Sequence, residues 1–538
     1  MINEYIITEI AKRCAAGKKD FSEKKISKIK RAASKKFGAP CPTNIELLCE
    51  YRKMVGQKKI ARNETIEKTL VTKDIRTESG VAVVAILTKP YPCPGKCAYC
   101  PDEKDMPKSY LSNEPAVMRA VLTKFHPYEQ VKARLESLEI TGHKTGKIEL
   151  IIMGGTFSYL PRRYQSWFIK ECFRAANEFG KTKGVYKNLD LKAQQRKNEK
   201  AKKRLVGLTL ETRPDYIDEK EIVNMRRLGA TRVELGVQSV YDDVLKLNRR
   251  GHGTAETVRA TRLLKEAGFK INYHMMPELP GSNAERDVKM FEELFAKPDY
   301  QPDMIKIYPC VVVKGTLIYK WLRAGKYQPC SDSERLEMLA RVKRNLPYYV
   351  RVTRLIRDIP STSIIAGNKI TNLRQALAEK SKKENWSCKC IRCREIRSGE
   401  RVEEKDLQLF REDYEASSGT EIFLTFEDKN RKHLYSLLRL RINSGETSDS
   451  HFIPELRDAA LIREVHTYGK LVPVKTRDAK SSQHIGLGRR LLQEAERIAR
   501  EEFGAKKTAV ISGIGVRDYY RKNGYKLEGS YMVKRLKK

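Results

Sequence analysis

No apolar run in this 538-residue sequence approaches the roughly 20 residues needed to cross a bilayer, which excludes a helical membrane-spanning protein. The start, Met1-Ile2-Asn3-Glu4, lacks a basic stretch followed by an apolar one, so no secretory leader is expected and the chain is assigned to the cytoplasm. Acids are in short supply. Asp and Glu number 68 against 107 Lys and Arg, a net charge of +39. Abundant Lys and Glu together suit a heat-tolerant surface, but that accounts for many charges and not for their imbalance. The imbalance calls for a polyanionic partner, and nucleic acid is the first candidate. The sequence also has no internal repeat and no long low-complexity tract. A chain this long exceeds one compact core, so two to four domains are expected. Twelve cysteines in a cytosolic chain are poor candidates for disulfides and better ones for metal ligation where they bunch. They bunch at Cys93–Cys100 and Cys388–Cys393, whereas Cys14, Cys41, Cys49 and Cys172 read as small core residues.

Four regions follow from patterning. Residues 1–75 are basic and helical in spacing; Lys24–Arg31 sets Ile26 and Ile29 among cations, and Ile45, Leu47 and Leu48 resume an apolar face after Pro40 and Pro42. Across 76–375, short apolar strands alternate with amphipathic helices. The strands are Val81–Leu87, Ile148–Met153, Leu205–Leu210, Arg232–Val237, Ile271–Met276, Met304–Tyr308 and Val350–Ile356. Such alternation predicts a parallel sheet, open or closed into a barrel, with its chemistry at the C-terminal strand ends. A cysteine-rich linker spans 376–400. The remainder, 401–538, mixes strands (Ile422–Phe426, Leu461–Tyr468) with a helix starting near Leu487. A basic insert at about Lys181–Arg204 reads as a helix or a mobile loop.

Cys93-Pro-Gly-Lys-Cys97-Ala-Tyr-Cys100 directly follows the first strand of the alternating region. Three thiolates at this spacing can hold three irons of a 4Fe–4S cube and leave the fourth iron open. An open iron can chelate the amino and carboxylate groups of S-adenosylmethionine, whose sulfonium is then cleaved reductively to a 5′-deoxyadenosyl radical. A zinc site would want a fourth Cys or His close by, and the loop has none. Other residues fall at the ends of later strands, where such a site needs them. Gly154-Gly155-Thr156 allows close approach to the methionine moiety. Glu211 and Arg213 can address ribose hydroxyls or the carboxylate, and Glu234, Gly236 and Gln238 close a further strand. Pro280-Gly281 follows the strand that carries His274. Each is weak alone; their agreement in position carries the argument.

In the last region, Gln483-His-Ile-Gly486-Leu487-Gly488-Arg489 opens a helix, a turn whose backbone N–H groups can cradle a pyrophosphate. Its spacing is that of acetyl-CoA-binding N-acetyltransferase-type (GNAT) domains. Val510–Arg521, with Tyr519 and Tyr520, fits the end of such a cleft, with simple core packing the plainer reading of the two tyrosines. Glu464 and His466, on an upstream strand, are candidate bases. Cys388, Cys390 and Cys393 suit a structural zinc better than a second cube. Its fourth ligand stays open among Cys310, Cys330 and several histidines.

Taken together, these motifs resemble the catalytic subunit family of Elongator in its stand-alone archaeal or bacterial form. The resemblance runs through Cys93–Cys100, Met153–Phe157, Glu211–Asp215, Glu234–Gln238, Met276–Gly281, Arg463–His466 and Ile511–Tyr520. It implies a radical S-adenosylmethionine partial TIM-like barrel, a small zinc-binding linker, a GNAT-type α/β domain and a basic helical tRNA-binding region at the start. It also implies synthesis of 5-carboxymethyluridine at the wobble position of tRNA anticodons. In that scheme the radical takes hydrogen from the acetyl-CoA methyl, the carbon radical adds to uridine C5, and thioester hydrolysis leaves the carboxymethyl group. Catalysis would fall on Lys147, Tyr519 and Tyr520. Acetyl-CoA contacts would fall on Lys147, Glu464, Val465, His466, Thr467, Leu487, Gly488, Arg489 and Tyr520. The expected partners are the tRNA anticodon stem-loop, acetyl-CoA and an electron donor, with a homodimer allowed and no membrane. The alternatives are a protein lysine acetyltransferase with a structural iron–sulfur domain, and a non-catalytic tRNA-binding scaffold.

Overall fold

The computed structural model describes residues 2–15, 23–70, 80–396, 406–445, 450–469 and 486–537. Gln483 therefore lies outside the described residues. Four helices come first, Ile2–Ala15, Glu23–Phe37, Asn44–Gly56 and Glu64–Leu70. They close on a core of their own, including Ile6, Ile10, Ile26, Ile29, Leu47, Leu48 and Tyr51. The third helix starts at a reciprocal cap: the Glu46 amide donates to Thr43 Oγ1 (3.2 Å) and the Thr43 amide to Glu46 Oε2 (2.6 Å). Two of the cysteines read as core residues are not. Cys41 sits between prolines in the connection and Cys49 on the outer side of the helix, and both are exposed, whereas Cys172 is buried.

The alternating region forms β1 (Ala82–Leu87), β2 (Lys147–Met153), β3 (Arg204–Thr212), β4 (Arg232–Gln238), β5 (Lys270–Met275), β6 (Met304–Ile307), β7 (Val311–Val313), β8 (Arg351–Arg354) and β9 (Ile364–Gly367). The order β1-β2-β3-β4-β5-β6-β8 is parallel throughout. It does not close, so the sheet is a partial barrel, while β7 and β9 pair apart from it. Successive side chains alternate between faces. One set (Ile148, Leu150, Ile152, Val233, Leu235, Ile271, Tyr273) packs under the outer helices. The other set points inward and is strongly polar: Glu149, Arg232, Glu234, Asn272, His274 and Lys306 contact one another across the strands.

The last region builds β10 (Leu407–Glu415), β11 (Gly419–Asp428), β12 (Leu434–Asn443), β13 (Ala459–Thr467), β14 (Lys507–Val510), β15 (Lys526–Glu528) and β16 (Tyr531–Arg535) in the order β10-β11-β12-β13-β14-β16-β15. Only β13 and β14 run parallel, and their pairing stops at Ile462 and Val510. Beyond that point β13 continues while the other strand turns away at Ser512-Gly513, so the sheet splits into a cleft. The helix Leu487–Glu501 covers the sheet with Leu487, Leu491, Leu492, Ala495, Ile498 and Ala499, the spacing of an amphipathic face.

One apolar core runs through both sheets. Charge also crosses the junction: Arg463 Nη2 lies 2.6 Å from Asp303 Oδ2, and its Nη1 2.7 Å from Glu421 Oε2, all fully buried. Lys265, Arg439 and Arg441 join this network. Burial opposes ionisation of Asp303, yet Arg463, Lys265 and Arg439 hold its carboxylate well below the usual range. The 181–204 insert is a helix in part, Leu191–Asn198, capped by Asp190. It is tied down by Asn177 Nδ2 donating to Gln194 Oε1 (2.8 Å) and by the Leu205 amide donating to Asn198 Oδ1 (2.8 Å).

Candidate active site

The loop Cys93–Cys100 lies at the C-terminal end of the barrel, as the strand order requires. Three guanidinium groups underlie it. Arg250 Nη1 sits 3.4 Å from Cys97 Sγ. Arg213 is clamped by Asp215 (2.8 and 2.9 Å) and packs so close to Gly95 that a Cβ there would lie 2.3 Å from its Nη1. Arg357 donates to Ser109 Oγ (2.9 Å), beside Cys100. Burial pushes the Cys100 thiol up to about 11, with neighbouring Cys97 adding to the rise. The donor set fits an anionic iron–sulfur cube: soft sulfurs, cations behind them and no fourth protein ligand among the described residues. These three sulfurs are not gathered as those of Cys388, Cys390 and Cys393 are, which lie within 4.8 Å of one another. A single ion draws thiolates together; a cube holds them apart.

The strand-end residues singled out above converge on the same mouth. Gly154 and Gly155 have φ of +125° and +98°, and a Cβ on Gly154 would meet Thr88 Oγ1 at 2.2 Å. Only glycine fits there. Tyr110 donates to Glu211 Oε2 (2.9 Å). Glu234 lies deeper, 2.9 Å from His274 Nε2 and paired with Lys306. Burial works against its charge, but Lys306 and His274 keep it ionised well below the usual carboxylate range. Burial and Lys306 lower His274 in turn, so the ring is neutral and its Nε2–H donates to the acceptor-only carboxylate. Glu211, Glu234 and His274 could group around a metal, but the Lys306 ammonium already supplies the cation. Gln238 Oε1, Asn272 Oδ1 and Arg213 Nη1 are buried without a partner among the described residues, polar atoms suited to a bound ligand.

The second cleft opens at the other end of the barrel. Gly486 is left-handed (φ +79°), and among the described residues no side chain caps the helix it opens. A Cβ on Gly488 would lie 3.0 Å from the Tyr519 hydroxyl and 3.5 Å from Thr467 Oγ1, so glycine turn, β13 and tyrosine pair meet at one place. Tyr520 is buried, its ring 5.3 Å from that of Tyr519. Glu464 pairs with Lys270 (3.0 Å) and Arg439 (3.0 Å), which overcome burial and hold it well below the usual carboxylate range. It is thus a fixed anion and no reservoir for a proton. Val465 and His466 share its strand, the His466 ring lying 4.4 Å from that of Tyr468, and Arg489 lies in the first turn of the helix. Lys147 begins β2, six residues before Met153 and so at the barrel end away from the cysteine loop. Burial and neighbouring Arg204 lower its pKa, and it has no acidic partner among the described residues. Arg204 in turn packs beneath Gly515 of the second region.

Cys388, Cys390 and Cys393 tie the two regions together. The Ile391 amide donates to Val350 O (2.9 Å), the Ile396 amide to Leu434 O (3.2 Å), and Lys343 Nζ approaches Cys393 Sγ (3.5 Å). Cys310 and Cys330 do not join them; both lie by Tyr327 and Glu278. Sequence reasoning does not single out Arg250, Arg357, Lys306 or Lys270. Scattered cations in so basic a chain carry no local mark.

Fold and cysteine loop define a radical S-adenosylmethionine protein: the Radical SAM superfamily signature matches residues 91–294 and the Radical_SAM C-terminal domain 302–383. The chain is 47% identical to the tRNA uridine(34) acetyltransferase of Methanocaldococcus infernus over 99% of its own length and 98% of that protein. It is 39% identical to the human Elongator complex protein 3, covering 95% of this chain and 93% of that one. The solved structure of the archaeal Methanocaldococcus infernus Elp3 with an N-terminal deletion matches at a TM-score of 0.73 and 46% identity, covering 85% of this chain and 99% of that one. The chain belongs to the family of the tRNA uridine(34) acetyltransferases and Elongator complex protein 3.

Proposed function

We propose that this enzyme builds 5-carboxymethyluridine at the wobble uridine of tRNA from acetyl-CoA. The observation that carries the reading is the continuous polar inner face of the barrel, with the cysteine loop at one end and the Gly486–Tyr520 cleft at the other. Cys93, Cys97 and Cys100 hold the 4Fe–4S cluster. Gly154, Gly155, Thr156, Glu211, Arg213, Glu234 and Gln238 bind S-adenosylmethionine. When bound, this pair supplies a 5′-deoxyadenosyl radical that can take hydrogen from a methyl group.

The chain's own residues do the rest by position and charge. The glycine-rich helix start at Gly486–Arg489, preceded by Gln483, receives the pyrophosphate of acetyl-CoA. Glu464, Val465, His466 and Thr467 line the thioester arm. Tyr519 and Tyr520 close the cleft and offer hydroxyls to the thioester oxygen. Lys147, a half-buried ammonium with no acidic partner among the described residues, meets the acyl group from the barrel side. Lys306 offsets part of the carboxylate charge of Glu234 and Glu211 inside the barrel, which keeps the wall polar.

The helical bundle of 1–75, the barrel of 76–375, the linker of 376–400 and the acetyl-CoA domain of 401–538 are the proposed divisions. The bundle's basic surface grips tRNA phosphates. Cys388, Cys390 and Cys393 take a structural zinc. The protein works in the cytoplasm with an external electron donor, and a homodimer is compatible with it.

Anaerobic reconstitution with iron, sulfide, S-adenosylmethionine, acetyl-CoA, a reductant and bulk tRNA is the test. Nucleoside mass spectrometry is expected to find carboxymethyluridine, abolished by Cys97→Ser. Acetylated protein lysines in its place, indifferent to Cys97→Ser, would move the assignment to a lysine acetyltransferase.

A further inference from the structure

Three tyrosines stand around the cysteine loop, one from each of the first three strand ends. Tyr91 lies two residues before Cys93. Tyr159 ends the short turn Phe157–Tyr159 that follows Gly154–Thr156, and Tyr216 ends the turn Pro214–Tyr216 that follows Arg213. Their rings form an edge-to-face ladder: Tyr91 to Tyr159 is 6.0 Å between centroids at 64°, and Tyr159 to Tyr216 is 5.6 Å at 80°. Tyr91 is 37% and Tyr159 41% exposed, and none of the three joins an apolar core cluster. None of their hydroxyls has a hydrogen-bond partner among the described residues, whereas buried Tyr531 donates to Ala267 O (2.8 Å). Lys96 and Arg163, both exposed and without an acidic partner among the described residues, flank the ladder in sequence. A side chain this large normally earns its place by burial or by hydrogen bonding. Tyr91 and Tyr159 stay exposed and Tyr216 is half-buried, all three at the barrel end that carries the cysteine loop.

We propose that Tyr91, Tyr159 and Tyr216 are a stacking platform for the unpaired RNA bases that flank the target uridine. This rests on the reading of the chain as a tRNA-uridine enzyme. A uridine can reach the barrel mouth only if it leaves its own stack, and its neighbours then lose stacking partners. Exposed aromatic faces replace that loss without reading sequence. A protein partner would need a broad apolar patch, and the cations and phenols here suit π-faces and phosphates better.

The test uses the full chain with an anticodon stem-loop carrying 5-iodouridine next to the target uridine. Irradiation is expected to crosslink the iodouridine to Tyr159 or Tyr91, located by peptide mass spectrometry. Tyr159→Ala is expected to weaken stem-loop binding roughly 5- to 150-fold, the range of one lost base–aromatic stack. Tyr159→Phe keeps wild-type binding, because the ring is what matters. The slope of log Kd against log salt stays unchanged in both, since no phosphate contact is lost. Crosslinks confined to other regions, or wild-type affinity in Tyr159→Ala, overturn the platform while carboxymethyluridine is still formed. Failure of wild type to modify any tRNA would instead sink the functional reading beneath it.

Discussion

Gly513 is the most informative single position for the coupling of the two sites. Its backbone is ordinary (φ −66°, ψ 150°), so an added methyl group brings no conformational strain. It brings a collision. A Cβ there would lie 2.0 Å from Val206 O and 2.6 Å from Val206 C, both main-chain atoms of β3 that no rotamer change can move. Real Cβ contacts essentially never fall below 3.0 Å, so the 511–516 loop must retreat from the barrel by about 1 Å in Gly513→Ala. That loop leads directly into Tyr519 and Tyr520. A 1 Å displacement of a reacting group costs on the order of 100-fold in rate, and overpacking of this kind costs about 1–3 kcal/mol of stability. Carboxymethyluridine formation in Gly513→Ala should therefore fall about 100-fold. Reductive cleavage of S-adenosylmethionine, measured separately, should change little, because the cysteine-loop end of the barrel stays whole. Gly146→Ala, at the same end of the barrel, is the control: its nearest atom would be Lys202 O at 3.8 Å, an ordinary contact. Wild-type product formation and an unchanged Tm in Gly513→Ala would refute the argument that main-chain contact sets the distance between the sites.

Asp303→Asn removes an anion from between Arg463 and Arg439, and breaking a buried pair of this kind costs about 3–5 kcal/mol, readable as a lowered urea midpoint at pH 7. The native Asp303 value is depressed, so its stabilisation is present above the unfolded value of about 3.9 and lost as pH falls below it. The acid limb of the wild-type stability curve should accordingly be steeper than that of the variant, and parallel limbs would rule this out. Glu199→Gln weakens the anchor for Arg517 (3.0 Å) and Arg521 (2.7 Å) on the helix bearing Tyr519 and Tyr520. Acetyl-CoA affinity should drop several-fold while iron content holds, and equal affinities by calorimetry would clear Glu199 of that role. Cys390→Ala, at the buried member of the second cysteine trio, should lose one equivalent of zinc by elemental analysis and lower Tm; full zinc retention would assign the metal elsewhere.

Much of the site is legible in the order of the residues. Cys93, Cys97 and Cys100 are close in sequence, so their spacing alone marks them as a candidate ligand set. All seven barrel strands are visible as short apolar runs, because parallel strands bury one whole face under helices. The inward face is not visible in this way: Glu149, Arg232, Asn272 and Lys306 look like ordinary surface polarity until the strands stand side by side. Cys41 and Cys49 show the converse failure, since small cysteines carry no periodic signal that separates core from surface. The insert at 181–204 reads as a helix or a loose loop because its anchor Arg517, paired with Glu199, is remote from it in the chain.

By itself the sequence determined what is local: the cysteine loop, the glycine turns, the strand–helix alternation and the excess of positive charge. These depend on neighbours within a few residues, where backbone geometry fixes who meets whom. Only the tertiary structure decided that Arg463 of one sheet is held by Asp303 of the other, that three arginines gather under three thiols, and that three tyrosines from separate strand ends form one ladder. Those pairings join residues tens to hundreds of positions apart, and long-range Coulomb and packing contacts leave no periodic trace in the chain that makes them.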